Sequence, residues 1–270
     1  MEPLRQSLTI KDRVLQKLLL KVRPASLTSL LKKGLNVQRT VIETSAGRFY
    51  VDPVCSSTLL LQRDAYEPGL KVALWSLLQP GGVFVDVGAN EGYFSVIASH
   101  LVGPTGRVIA VEPQARLRSV LDINFELNNV KNVEVVAVAV SDRAGTATMH
   151  LTPDTNTGST ALRQSTAYKT PQQEVETVTL AQLFDKKGIE RADVVKMDIE
   201  GFEYEAIVGS QELFQNRRIG ALALDLHPRA LVSRGHAPEE IASFLRGAGY
   251  HLALEFEHSD LNGIWIAGEA

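Results

Sequence analysis

Val83-Phe84-Val85-Asp86-Val87-Gly88-Ala89-Asn90-Glu91-Gly92-Tyr93-Phe94 is the stretch on which the fold turns. A short apolar run, set off upstream by Pro80-Gly81-Gly82, ends in Asp86 and crosses a glycine-bearing turn into a new apolar-periodic segment. The order reads as strand, tight loop, helix. Such a junction gathers exposed backbone N–H groups and the positive end of a helix, where a carboxylate or phosphate can sit. Backbone geometry alone can also require Gly88 and Gly92, so the turn needs support from the rest of the chain.

That support comes from the order of elements on either side. Glu67-Pro68 followed by Leu70, Ala73, Leu74, Leu77 and Leu78 predicts a helix begun at proline. After the opening junction, a helix runs to Leu101, and Arg107 to Val111 reads as a second buried strand ending at Glu112-Pro113. A helix from about Gln114 to Asn128 follows, with a third strand over Val133 to Val140 closed by Ser141-Asp142. Thr146 to Leu151 alternates as an antiparallel addition, and the polar stretch Thr152 to Thr170 has the length of a lid over a site. A short strand over Val175 to Val178 and a helix over Leu180 to Lys187 lead to a second junction, Val194-Val195-Lys196-Met197-Asp198-Ile199-Glu200-Gly201. Ala221 to Leu226 is a further buried strand ending at His227-Pro228, and Tyr250 to Phe256 and Gly263 to Ala267 close the chain as strands. Continuous apolar strands alternating with helices mean α/β, a doubly wound, mostly parallel sheet covered on both faces.

At 270 residues with 44% hydrophobic and 22% charged residues, the chain can bury a large core. A net charge of -3 gives no electrostatic reason to expect nucleic acid. Cys55 is the single cysteine, and neither a secretory leader nor an apolar run long enough to span a bilayer is visible, so a cytoplasmic protein is expected. The first 35 residues are basic, with Val14, Leu15, Leu18, Leu19 and Val22 at helical spacing. The expected arrangement is a helix with its leucine face packed on the domain and its basic face in water; contact with an anionic membrane or a partner is the rival. Thr40 to Val51 predicts a hairpin. These divide the chain into an N-terminal helix and hairpin over 1–60 and a cofactor-binding domain over 61–270.

The glycine spacing bears on the cofactor. A dinucleotide site wants G-x-G-x-x-G, but Asn90 stands two places after Gly88, and no phosphate-binding G-x-x-x-x-G-K-[ST] occurs. Asp86-x-Gly88-x-Asn90-x-Gly92 suits S-adenosylmethionine, whose methionine end offers an amino group to a carboxylate and a carboxylate to backbone N–H groups. Glu112, at the end of the second strand, is placed to accept from both ribose hydroxyls, because an unpaired carboxylate there would be costly. Asp142 with Ser141 is placed to meet the adenine amine, or to make a turn.

Several motifs in order resemble the FkbM-type S-adenosylmethionine-dependent methyltransferases. They are Tyr66-Glu67, Phe84 to Tyr93, Glu112-Pro113, Asn124 with Asn128, Ala139 to Asp142 with Gly145, and Lys196 to Glu203. The resemblance spans about Tyr66 to His227. It implies the class I methyltransferase fold, seven strands with one reversed, a cofactor site that takes in Tyr66, and hydroxyl acceptors on sugars or polyketide-type natural products. Thr179-Leu180-Ala181 departs from the family's usual Thr-Leu-Asp, which leaves a helix-start carboxylate in doubt.

Moving a methyl group onto an aliphatic hydroxyl needs a base beside the acceptor. Asp198, Glu200 and His227 are the candidates, with His227 the first choice as base and Asp198 the second, since strand carboxyl ends are where ligands bind in open α/β sheets. Asp198 otherwise holds the cofactor or orients the base, and Glu200 otherwise caps the helix beginning at Gly201. Two carboxylates and a histidine also suit a divalent metal, although the spacing is too loose to favour it. The rival readings are a non-catalytic cofactor-binding or partner module, and N-methylation. The expected acceptor is a small molecule or glycan.

Overall fold

The computed structural model describes residues 8–19, 21–22, 25–54, 66–152, 171–256 and 261–268. Two short helices, α1 (Ile10–Leu19) and α2 (Ala25–Gly34), precede a hairpin of β1 (Thr40–Thr44) and β2 (Gly47–Val51). The main body then runs α3 (Pro68–Leu77), β3 (Val83–Val87), α4 (Tyr93–Val102), β4 (Arg107–Val111), α5 (Arg118–Leu127) and β5 (Val133–Val136). Next come β6 (Ala139–Val140), β7 (Gly145–His150), β8 (Gln172–Val178), α6 (Leu180–Lys186) and β9 (Ala192–Met197). The chain closes with α7 (Glu203–Val208), α8 (Gln211–Gln215), β10 (Ile219–Leu224), α9 (Pro228–Val232), α10 (Pro238–Gly247), β11 (Tyr250–Glu255) and β12 (Gly263–Ala267).

Seven of these strands form one sheet in the order β11-β12-β10-β9-β3-β4-β5. Strand β12 alone is reversed, running antiparallel to β10 and to β11. The order reverses direction at β3, and ligands of open α/β sheets bind at such a switch point. Alternation along each strand divides the core between the two faces of the sheet. Val85, Val87, Val195, Met197 and Leu222 pack with Phe184 and Phe214 on one face. On the other, Phe84, Val108, Val194 and Ala223 pack with Leu74, Val96 and, from the hairpin, Phe49. The hairpin thus shares the main core.

Asn124 on α5 and Asn128 just past its end explain how it is held there. Asn124 Oδ1 accepts from Tyr50 N at 2.6 Å and its amide donates to Glu91 O at 2.7 Å. Asn128 accepts from Arg48 N at 2.9 Å and donates to Arg48 O at 2.7 Å. Two side-chain amides therefore satisfy the backbone edge of β2 in place of a third strand. The unusual Thr179-Leu180-Ala181 also finds its account: Thr179 and Gln182 bond reciprocally at 3.1 Å as a capping box at the start of α6, so no acid is needed.

Two expectations are corrected. Val133 to Val140 is not one strand: the parallel ladder ends where Glu112 N donates to Val136 O, and Ala139 and Val140 pair instead with Thr177 and Val178 in a separate sheet of order β6-β8-β7. Asp142 consequently follows β6 and not the third parallel strand. The apolar stripe of the first helix packs only in part: Leu19 is buried and Leu15 and Val22 are half-buried, while Val14 and Leu18, with Ile10, face outward. The lid expected over Thr152 to Thr170 lies, past Thr152, outside the described residues. No described helix is long and apolar enough to cross a membrane.

Candidate active site

The carboxyl ends of β3, β4, β9 and β10 step along one edge. Gly88 N donates to Val111 O at 3.0 Å, Asp198 N to Val87 O at 3.1 Å, and Asp225 N to Met197 O at 3.0 Å. Each chain therefore leaves the sheet at the same level. At the first junction Gly88 has φ of 87°, and a Cβ there would lie 1.9 Å from Asp198 O. Glycine is required both by that dihedral and by the close approach of the two loops. Asn90 also lies in the left-handed region, at φ of 50°, and its N–H donates to Glu112 Oε2 at 2.9 Å. The second Glu112 oxygen accepts from Gln114 N at 2.9 Å. Glu112 thus joins the two strand ends and keeps lone pairs for further donors. Burial pushes its carboxyl up to about 7, against the pull of the two backbone N–H groups.

Asp86 and Lys196 face each other directly across β3 and β9, two residues past Phe84 and Val194 and so on the same face. Asp86 is 1% exposed; its Oδ2 accepts from Ser95 Oγ of α4 at 2.7 Å, and its Oδ1 lies 3.7 Å from Lys196 Nζ without a hydrogen-bond partner. Lys196 also reaches Asp198 at 3.4 Å. Burial alone would lower the ammonium, but Asp198 and Asp86 hold it charged, above its usual value. Tyr66 stacks edge-on against Tyr93 at 5.3 Å and lies 5.7 Å from the Phe94 ring, which Lys196 also faces.

The second junction turns more sharply. Glu200 is a non-glycine residue at φ of 56°, and Gly201 follows at 101°, where a Cβ would meet Ala230 of α9 at 2.3 Å. This turn carries Asp198 and Glu200 toward His227. The imidazole Nε2 lies 3.5 Å from Glu200 and 3.9 Å from Asp198, while Nδ1 faces Glu203 Oε1 at 3.0 Å. Glu203 is fully buried, and the same oxygen accepts from Gly201 N at 3.0 Å and Ile199 N at 3.3 Å. Glu203 therefore fixes both the turn and the ring. Asp225 completes the cluster and accepts from the Asn262 side chain.

Charge is unevenly matched here. Burial would lower His227, but the hydrogen bond and charge of Glu203, with Glu200 and Asp198, raise it to about 10. Burial raises Glu200 to about 7; His227 opposes the shift, while Asp198 and Glu203 add to it. Asp225 rises to about 6, first by burial and then by Asp198. Around His227 these neighbours favour the imidazolium, and Glu200, like Glu112, changes charge near neutrality. Asp198, Glu200 and His227 each bring one ligand atom within 4.8 Å of the others, a spacing that one divalent ion could span.

The structure therefore brings Asp86, Gly88, Asn90, Glu112, Asp198, Glu200 and His227 to one edge. Gly92 sits at the start of α4. Glu200 does not cap the following helix, which begins at Glu203 after Phe202. Ser141 and Asp142 make local bonds: Ser141 N to Val178 O at 2.9 Å and Ser141 Oγ to Asp142 Oδ1 at 3.2 Å. Glu203 and Asp225 are the residues that spacing alone left without a role. The readable sign of Glu203 is an acid in the first helical turn two residues after a glycine, where it can reach back to backbone N–H groups of the turn.

Residues 86–252 match the model of the Methyltransferase FkbM domain. The chain belongs to that family. It is a methyltransferase dependent on S-adenosylmethionine. Among curated relatives, the 31-O-demethyl-FK506 methyltransferase FkbM of Streptomyces tacrolimicus is 28% identical over 205 residues, covering 66% of this chain and 76% of that one. The AMB antimetabolite synthetase AmbE of Pseudomonas aeruginosa is 24% identical over 213 residues; they are 66% of this chain, which spans only 10% of that protein. Among solved structures, Aeropyrum pernix fibrillarin with natively bound S-adenosyl-L-methionine superimposes with a TM-score of 0.40 at 14% identity, covering 73% of each chain.

The residues at the edge fit the cofactor of this FkbM-family enzyme. Its sulfonium and ammonium are cations, and the edge is rich in carboxylates that gain by facing positive charge. The buried Asp86 oxygen that lacks a hydrogen bond is an acceptor at the start of the glycine loop.

Proposed function

We propose that this FkbM-family enzyme methylates a hydroxyl oxygen of a small molecule or glycan, with Glu200 as the base and His227 and Glu203 as the pair that positions it. The observation that carries the reading is the Glu200–His227–Glu203 line at the strand edge, with Glu200 raised to about 7. When bound, S-adenosylmethionine would supply an electrophilic methyl carbon: the acceptor oxygen bonds to it as the carbon–sulfur bond breaks, the electron pair of that bond going to the departing thioether sulfur. Glu200 takes the acceptor's proton, and a carboxylate with a pKa near the working pH is suited to that step. His227, held through Nδ1 by Glu203, presents Nε2 to the Glu200 carboxylate. Asp198 tethers Lys196 and faces the same ring. The name of the Streptomyces relative, an O-methylating enzyme, supports oxygen over nitrogen. Transfer of label from the cofactor into a panel of glycosides and polyketide alcohols tests the reading; label appearing only in amines would sink it.

On the same reading, Glu112 takes the ribose hydroxyls, the Gly88–Gly92 loop and Asp86 the methionine end, Tyr66 the wall beside it, and Ser141 with Asp142 the adenine. An ionised Glu112 accepts from both hydroxyls, whereas a protonated one accepts less well. S-adenosylhomocysteine is therefore expected to bind more tightly as pH rises through about 7, by about tenfold between the two protonation states. Titration calorimetry across pH measures this, and in Glu112→Gln the pH dependence should vanish along with most of the affinity.

The three-residue spacing at Asp198, Glu200 and His227 gives metal dependence a geometric basis. A cation there must displace the proton on His227, which is held to about 10. Full turnover is accordingly expected after exhaustive chelation; loss of turnover restored by magnesium or manganese would replace the proton-transfer role of Glu200 with ligation.

A further inference from the structure

The N-terminal helices are built inside out. Thr9 and Asp12 form the cap of α1, with Asp12 Oδ2 accepting from Thr9 N at 2.7 Å, and Asp12 is buried together with Leu19. In α2 the buried positions are Thr28, whose hydroxyl donates to Leu19 O at 3.1 Å, and Lys32, which is ion-paired with Asp52. Several outward positions are apolar. Ile10, Val14 and Leu18 repeat every four residues along α1 and are 83%, 49% and 60% exposed. On α2, Leu27, Leu30 and Leu31 share a face, and Leu30 is 66% exposed. A water-facing helix reverses this pattern, burying its leucines and exposing its lysines. A contiguous apolar face of this kind marks a binding surface.

The charges beside the stripe say what it binds. On a helical wheel Lys11 lies on one side of Ile10, Val14 and Leu18, and Arg13 and Lys17 lie on the other; all three cations are exposed, as are Lys21 and Lys33. The first 35 residues hold eight of the chain's 28 basic residues and two of its 31 acids, so this segment carries +6 and the remainder -9. An apolar stripe flanked by cations fits the headgroup boundary of an anionic bilayer, with the acidic body turned away. A second copy of the same face would set like charges against each other.

We propose that α1 and α2 seat this methyltransferase on an anionic membrane surface, Ile10, Val14, Leu18 and Leu30 entering the acyl boundary and the flanking lysines meeting lipid phosphates. Flotation of the full chain with vesicles of phosphatidylcholine plus phosphatidylglycerol, against phosphatidylcholine alone, tests it. Partition onto the anionic vesicles should be stronger by about tenfold or more and should fall as salt is raised. Leu18→Glu and Leu30→Glu should each weaken it by about tenfold, with thermal melting and S-adenosylhomocysteine affinity unchanged, because both side chains are exposed. Equal or absent binding to the two kinds of vesicle would overturn the proposal. So would a dimer in sedimentation equilibrium that Leu30→Glu dissolves, which would assign the face to a second copy.

Discussion

Glu200→Gln is expected to lower kcat by about 10² to 10³-fold, leaving S-adenosylhomocysteine affinity within a few-fold of the parent. The amide keeps the size and the left-handed turn but cannot take a proton. The pH profile separates the possible bases. With Glu200 at about 7, kcat/KM of the parent should climb on the acid side and level off above that pH. In Glu200→Gln this limb should disappear. In His227→Gln it should instead move to higher pH, because the imidazolium opposes a shift that burial, Asp198 and Glu203 all favour. A base at His227 gives the opposite pattern: the limb would survive in Glu200→Gln and vanish in His227→Gln. Glu203→Gln should behave as a weaker His227 substitution, since it loosens the ring without removing it.

The first junction was legible because three independent signals agree there: the apolar run, the glycines where positive φ is needed, and an acid at the strand end. Glu112 was legible for the same reason. Val133 to Val140 was not, because an apolar run carries no mark at the residue where it changes from one sheet to another; the hydrogen-bond partner that decides this, Thr177 on β8, lies far away in sequence. Asp86 reads as a carboxylate for the cofactor's methionine end, but that it faces Lys196 depends on the parallel register of β3 and β9, which pairs two stretches far apart in sequence. Glu203 was hidden by its position, since acids in a first helical turn are usually solvated partners of the helix dipole. The N-terminal helices show the same limit from another side. Periodicity finds the stripe, but only the position of Asp52 shows that Lys32 faces inward, and only burial shows that Val14, Leu18 and Leu30 face outward.

Lys196→Met is expected to cost about 3 to 5 kcal/mol in folding stability at pH 8, the usual penalty for leaving a buried partner charged and alone. Lys196 and Asp86 are 7% and 1% exposed as side chains, so water screens neither. Desolvation already raises the Asp86 carboxyl above its ordinary value, and Lys196 is the largest of the groups pulling it down. Without the ammonium it rises further. A carboxyl with a folded pKa above its unfolded one takes up a proton on folding, so the deficit is full above the folded pKa and shrinks as pH falls through it. The stability gap between Lys196→Met and the parent should therefore narrow steadily from pH 8 toward pH 5 in urea unfolding. The double variant Asp86→Asn/Lys196→Met removes the stranded charge, keeps the Ser95 hydroxyl donating to the side-chain carbonyl, and should recover most of the loss at pH 8. A single variant as stable as the parent at every pH, or a double variant no better than the single, would show that the pair is not what holds this part of the sheet. The recovered double variant is also expected to bind the cofactor's amino end less well, because the acceptor oxygen at Asp86 is then an amide. Stability and affinity would in that way be separated at one position.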